Sequence, residues 1–300
     1  MELWIPLTIA AAFLQNVRSA LQKHLKDRLS TLGAAYVRFI YALPVAFVFL
    51  IGVYFYRGQV LPEVTPVFLL YSLLGGLCQI AFTVFLLWLF SFHNFAVGTT
   101  FSKLETIMVA IFGLILLGDE LTTIVVFAIA MSTVGLIILS AAQSGLGLRG
   151  LLSGLWQKPT VIGLICAAFL GASVVFFRAA SLSLEEADFL LSASFTLFIV
   201  LLLQTLIMGA GMWIRDHEDF TKVFIHWRPA VAVGISGGLT SIGWFTAFTL
   251  QNATYVRALG QIELLFTFLA TVFVFREKVI AGELLGIVLI TASIILVLLG

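Results

Sequence analysis

The stretch Phe101-Ser-Lys-Leu-Glu-Thr-Ile-Met-Val-Ala110 puts two charges, Lys103 and Glu105, two residues apart in a run otherwise apolar enough to cross a bilayer. A charge at the centre of a membrane helix costs roughly 2.5–3.5 kcal/mol even on the lenient insertion scale. Such charges demand partners, a wet cavity, or a different reading of the segment. The rest of the chain decides which.

Of its 300 residues, 61% are hydrophobic, 13% aromatic and only 10% charged, with a mean hydropathy of +1.15. An average soluble domain is roughly 45–50% apolar and 25% charged. About 20 predominantly apolar residues cross the hydrocarbon core. Ten such spans are predicted, near residues 3–22, 32–54, 67–90, 95–117, 121–141, 160–180, 188–213, 229–251, 253–275 and 279–299. The expected fold is an all-α integral membrane protein of ten transmembrane helices. The longest connections, residues 142–159 and 215–228, carry Gly, Pro and charge and leave no room for a soluble domain. Glu2 stands where a secretory leader has basic residues, and no small-residue cleavage site follows, so the first run reads as a retained helix. Cys78 and Cys166 each fall inside a predicted span and read as packing residues, not a disulfide or metal pair. A net charge of +1 gives no electrostatic footprint for nucleic acid.

Lysine and arginine in short loops mark the cytoplasmic side. The odd-numbered loops hold ten: Lys23, Lys26, Arg28, Arg149, Lys158, Arg215, Lys222, Arg228, Arg276 and Lys278. The even-numbered loops hold Arg57, with Arg178 and Arg257 at span rims. The odd loops are therefore expected in the cytoplasm and both termini outside.

The halves also resemble each other. Ala11-Ala-Phe-Leu14 recurs as Ala167-Ala-Phe-Leu170, Leu104-Glu105 as Ile262-Glu263, and Asp119-Glu120 falls opposite Arg276-Glu277, at offsets of 156, 158 and 157. Leu73-Leu-Gly-Gly-Leu77 matches Ile235-Ser-Gly-Gly-Leu239 at an offset of 162. Five spans per half is an odd number, so the repeats, residues 1–145 and 156–300, are expected to cross the bilayer in opposite senses. Equivalent loops change sign accordingly: Lys23, Lys26 and Arg28 lie opposite Glu185, Glu186 and Asp188. Inverted repeats recur in secondary transporters, where two similar halves expose a midplane site alternately to each side.

The sequence resembles the drug/metabolite transporter superfamily, in the ten-helix branch built from two EamA-type repeats. The resemblance covers the whole chain. It is carried by Lys103-Leu-Glu-Thr, Leu117-Gly-Asp-Glu-Leu-Thr and Gly135 in the first half, and by Gln261-Ile-Glu-Leu, Phe275-Arg-Glu-Lys and Gly286 in the second. Arg38, in Tyr36-Val-Arg-Phe, is similar to an arginine usual early in the second helix of the family. Thr106 and Leu264 stand where the family has proline, so no proline-driven helix distortion is expected. The resemblance implies transport of small metabolites, amino acids and related zwitterionic or anionic compounds first, with vitamins, nucleobase-like compounds and drugs as alternatives.

Glu105 and Glu263 each lie near the middle of a predicted span. Three roles stay open for them: structural fastening between helices, cavity lining, or proton coupling. Lys103 has Gln261 as its counterpart, so its charge belongs to one half only, an asymmetry that a substrate site requires. Residues two apart point about 200° apart on a helix, so Lys103 and Glu105 need separate partners. Arg18, Arg38, Arg178 and Arg257 lie toward span ends and are expected to snorkel to the interface. Further candidates for a cavity are Gln15, Asn16, Gln79, Thr83, Trp244, Tyr255 and Gln261, with helix packing as the plainer role for each. The expected cavity is central, between the five-helix halves.

Gly234-Ile-Ser-Gly-Gly238 matches the G-x-S-x-G pattern of serine hydrolases, but no histidine is placed as its base. Small residues that let helices approach explain Gly234 and Gly238 better, and likewise Gly282 and Gly286. No P-loop, dinucleotide fingerprint or metal-ligand spacing appears, so no cofactor, ATP-driven pump or enzyme is expected. The expected partners are a small-molecule substrate, membrane lipid and, as a candidate coupling ion, protons. The expected setting is a bacterial inner membrane.

Overall fold

A computed structural model describes residues 2–25, 29–89, 92, 100–144, 157–184, 187–273, 276 and 279–300, and the description below refers to these. All regular structure among them is helical: α1 Trp4–Leu25, α2 Thr31–Ile40, α3 Leu43–Arg57, α4 Pro66–Leu89, α5 Glu105–Leu117, α6 Thr123–Ser144, α7 Lys158–Leu182, α8 Phe189–Arg215, α9 His217–Ile225, α10 Trp227–Leu250, α11 Ala253–Gly260, α12 Ile262–Phe273 and α13 Ala281–Leu299. Eight helical segments among the described residues are long and apolar enough to cross a membrane. The 22-residue α1 and the α11–α12 pair complete ten spans in two five-helix repeats.

Three spans expected to be continuous are interrupted. The second breaks at Tyr41-Ala42, where Pro44 in the first turn of α3 has no N–H to give to the preceding helix. The fourth breaks at Lys103-Leu104 and the ninth at Gln261, with no proline at either place. There the chain tightens instead: the Lys103 N–H reaches Thr100 O at 3.1 Å and the Gln261 N–H reaches Ala258 O at 3.3 Å, both three residues back. These two bonds sit at equivalent repeat positions, 158 residues apart. Short tightened stretches inside a helix are common where a chain hinges or builds a site. The segment 215–228, expected as a loop, contains α9. Its cap is Asp216, whose carboxylate accepts the Asp219 N–H at 3.0 Å. The expectations for residues 145–156 and for Lys26, Arg28, Glu185 and Glu186 lie outside the described residues.

The chain packs into two compact units, each drawing on both repeats: Met1–Ile80 with Ser173–Gln251, and Ala81–Ala172 with Asn252–Gly300. In the first unit, α10 presents a stripe of glycines to its neighbours. A Cβ on Gly238 would lie 2.7 Å from Val45 on α3, and one on Gly243 would lie 2.9 Å from Ala11 on α1. Gly234 meets the backbone of Tyr41 at the break of the second span, so the small-residue reading of this motif holds. Ser236, its would-be nucleophile, donates back to Ala232 O and Val233 O in its own helix. A core of Leu50, Val53, Phe68, Leu191 and Phe195 joins α3, α4 and α8.

The same device organises the second unit. Gly135 on α6 and Gly286 on α13 meet each other: a Cβ on Gly135 would lie 2.9 Å from Gly286 O, and one on Gly286 would lie 2.8 Å from Gly135 O. Val125, Ala128, Ile129, Ala258 and Val297 form a core cluster among α6, α11 and α13. Cys166 is buried with Leu89 and Ile162, as expected of a packing residue.

The repeats share one further backbone feature. α5 ends on Gly118 in the left-handed region, φ +65°, where a side chain costs energy and glycine does not. At the equivalent position past α12, Arg276 holds φ +54°.

Candidate functional site

Breaking the ninth span at Gln261 and the fourth at Lys103-Leu104 creates helix ends where an unbroken span has none. Each break opens the N-terminus of a half-helix, which carries roughly half a positive charge and stabilises an anion by about 0.3–1 kcal/mol, or up to about 2 in a partly buried site. Glu105 is the first residue of α5, and Glu263 lies in the first turn of α12. The ends before the breaks have the opposite sign and favour cations. Arg257 occupies the last turn of α11, and Lys103 follows the helical residues 100–102. The backbone thus prepares places for Glu105, Glu263 and Arg257.

They pair across the repeats. Arg257 Nη2 binds Glu105 Oε1, and Lys103 Nζ binds Glu263 Oε1. Each carboxylate is met by the cation of the other broken span. The acids occupy equivalent repeat positions, 105 and 263; the bases do not, since Lys103 precedes Glu105 by two residues and Arg257 precedes Glu263 by six. A third link joins the two breaks: Gln261, the counterpart of Lys103, donates from Nε2 to Thr106 Oγ1 at 2.9 Å.

The two ion pairs differ in surroundings. The side chains of Arg257 and Glu105 are 9% and 8% exposed. Glu263 is 10% exposed but Lys103 is 39% exposed. Beside Lys103 lies a cavity of about 10 Å³, also lined by Thr106, Ser132, Gln261 and Ser293. That volume holds about one water and no metabolite. The Ser132 hydroxyl is buried there without a hydrogen-bond partner among the described residues.

Tyr255 donates to Thr122 Oγ1 at 3.4 Å, a long bond, and Thr83 is buried on α4; both belong to the second unit. Gln15, Asn16, Arg38, Gln79 and Trp244 belong to the first. There the Trp244 indole donates to Gln15 Oε1 at 3.1 Å, and Gln79 Oε1 accepts from Gln204 Nε2 at 2.8 Å. Asn16 is half-buried on α1, and Arg38 stands over the Phe39 ring at 5.7 Å.

Of the arginines expected to snorkel, two are buried within the protein and a third bonds to the backbone at a helix end. Arg257 is buried in its ion pair. Arg18 is 8% exposed and packs beside Gly237. Arg178 donates to Phe248 O at 2.6 Å and also to Gln251 O, satisfying carbonyls that the end of α10 leaves open. Sequence reasoning also passed over Gln204, which is fully buried, and Asp219. Asp219 accepts from the backbone N–H of Ser30 at 3.2 Å and from its hydroxyl, at the start of α2. Tyr41 OH, at the other end of α2, donates to Val223 O at 3.1 Å, so α9 holds both ends of that half-helix. The cap at Asp216 followed by two acids is the signal that marks α9 as a helix.

The sequence profile of the EamA-like transporter family matches residues 2–141 and again residues 158–299. No curated protein matches the sequence. One solved crystal structure has the same fold, with a TM-score of 0.70 over 99% of this chain and 96% of its own, at 16% identity.

Proposed function

The chain belongs to the EamA-like transporter family of the drug/metabolite transporter superfamily, and from that premise we propose that it exports small zwitterionic or anionic metabolites, amino acids first, across a bacterial inner membrane. The mechanism is alternating access by two inverted repeats, residues 1–145 and 156–300, with both termini on the outer side. One observation carries this reading. A half-exposed ammonium, Lys103, lies at the break of the fourth span, beside buried hydroxyl and amide groups. Such half-helix ends are where transporters of this general design hold charged ligand groups. The substrate carboxylate binds Lys103 Nζ, and Thr106 and Gln261 supply polar contacts beside it. A cavity with room for one water corresponds to a closed stage of the cycle, and another stage opens it. The pairing of Arg57 with Asp188 at 3.0 Å, between the second and sixth loops, accords with both loops lying outside.

The test is uptake of a mixed pool of amino acids and small metabolites into sealed proteoliposomes, read by mass spectrometry. Accumulation of an amino acid is expected, and Lys103→Ala should abolish it while leaving the yield of folded protein close to wild type. Unimpaired transport by that variant would remove Lys103 from the site, and enrichment of a different compound class would replace the substrate assignment.

A further inference from the structure

We propose that the cavity beside Lys103 is a seat for one oxygen atom, filled by a water in the closed stage and by a carboxylate oxygen of the ligand in the open one, with Ser132 as a specificity-determining contact. The ligand half of this rests on the transport reading above. Ser132 lies on α6 in the second unit, is 6% exposed and lines the cavity. Thr133 and Ser293 line it too, but both give their protons to their own helices, donating to Ile129 O at 2.8 Å and to Ile290 O at 2.7 Å. The Ser132 hydroxyl makes no such bond among the described residues. A buried hydroxyl without a partner is costly, and native proteins satisfy nearly all of them with protein or with water.

The rest of the lining completes the seat. Gln261 gives an Nε2 proton to Thr106 Oγ1, which leaves the amide oxygen able to accept and the Thr106 hydroxyl able to donate. The Ser293 oxygen can still accept, and Lys103 gives only one of its three ammonium protons to Glu263. A buried water needs two to four polar partners and about 10–15 Å³, and cavities that stay dry are apolar. This one meets both needs. A carboxylate oxygen takes about the same space but only accepts, so Ser132, Thr106 and Lys103 can each turn a donor to it. The four charges of the cluster already sum to zero, and a zwitterionic ligand brings its own ammonium. Exchanging water for such a ligand therefore adds no net charge. A ligand without the oxygen leaves Ser132 unpartnered, and polar sites reject analogues on that ground.

Two measurements test the two occupants separately. The first needs no ligand: thermal unfolding midpoints of purified wild type, Ser132→Ala and Ser132→Val in detergent. With water in the seat, Ser132→Ala removes one of its bonds and should lower the midpoint by about 2 °C. Ser132→Val should lower it further, because the added methyl groups take the place of the water and leave the polar lining without it. A dry cavity gives the opposite sign for both, since alanine removes a stranded hydroxyl and valine fills space. An unchanged or raised midpoint in either variant overturns the water seat.

The second measurement is uptake of the amino-acid pool into proteoliposomes over a range of concentrations. For the amino acid accumulated, Ser132→Ala should raise the half-saturating concentration by about tenfold with less change in maximal rate. It should also narrow the preference for that amino acid over its decarboxylated amine. If neither changes, Ser132 does not touch the ligand and that half of the inference is overturned, while transport stands. Absence of uptake by the wild type speaks against the transport reading itself, and the unfolding series still decides the water seat.

Discussion

The two units bury polar side chains in different ways. In the first, three links between helices are neutral, Trp244 to Gln15, Gln204 to Gln79 and Tyr41 to the Val223 carbonyl, and Arg178 bonds to backbone carbonyls at the end of α10. In the second they are ionic, and four charges gather at two helix breaks. A neutral hydrogen bond contributes about 0.5–1.5 kcal/mol net. A buried ion pair barely offsets its own desolvation and replaces poorly against well-packed apolar groups. Stability alone would favour the neutral solution in both units. In the second unit the four charges stand where the chain also breaks its helices.

The largest effect that tests this comparison is Arg257→Met. It strands Glu105 in a dry site and should cost about 3–5 kcal/mol, read as a fall in the detergent unfolding midpoint. Replacing both partners, Glu105→Met/Arg257→Met, should recover most of the loss. If the double variant stays as unstable as the single one, the pair stabilises the fold outright and the contrast between the units fails.

Next come the glycine contacts, which both units share. Gly135→Leu and Gly238→Leu should each cost about 3 kcal/mol, the upper end of ordinary overpacking, with similar losses of folded protein by size-exclusion chromatography. A large inequality would show that one unit tolerates helix displacement better than the other. Smaller still is Gln204→Leu, which removes one neutral link and leaves the Gln79 carbonyl oxygen without its donor. About 1–2 kcal/mol is expected, and a loss equal to that of Arg257→Met would erase the distinction between neutral and ionic fastening. The smallest effect is a gain. Arg276→Gly relieves a left-handed residue that its counterpart Gly118 already avoids, and should raise stability by about 1 kcal/mol.

Much of this was legible in the sequence. Ten apolar stretches gave the spans, glycines at i and i+4 gave the close helix contacts, and Lys103, Glu105 and Glu263 stood out against their surroundings. The pairing was not legible, for two physical reasons. The breaks at Lys103-Leu104 and Gln261 arise from a shift to bonds three residues back, which leaves no compositional mark once proline is absent. With the breaks hidden, the helix-end potentials that hold the charges are hidden as well. Arg257 was misplaced for the same reason: counted along an unbroken helix it lies near a rim, whereas in the fold it ends a half-helix and turns inward to Glu105. The neutral links of the first unit join residues far apart in the chain, such as Gln79 and Gln204, that no local pattern connects.

The crossed pairing also bears on how the protein is made. Lys103 and Glu105 leave the ribosome long before Arg257 and Glu263, since the two glutamates are 158 residues apart. At about 5–20 residues per second this is a delay of roughly 8–30 s. Throughout it the fourth span, itself apolar enough to cross a membrane, waits for the partners of its two charges. The ninth span carries Arg257 and Glu263, whose partners both lie in the fourth. The two helices therefore complete each other's entry into the bilayer, and a nascent chain halted before residue 253 is the form that membrane quality control is best placed to recognise.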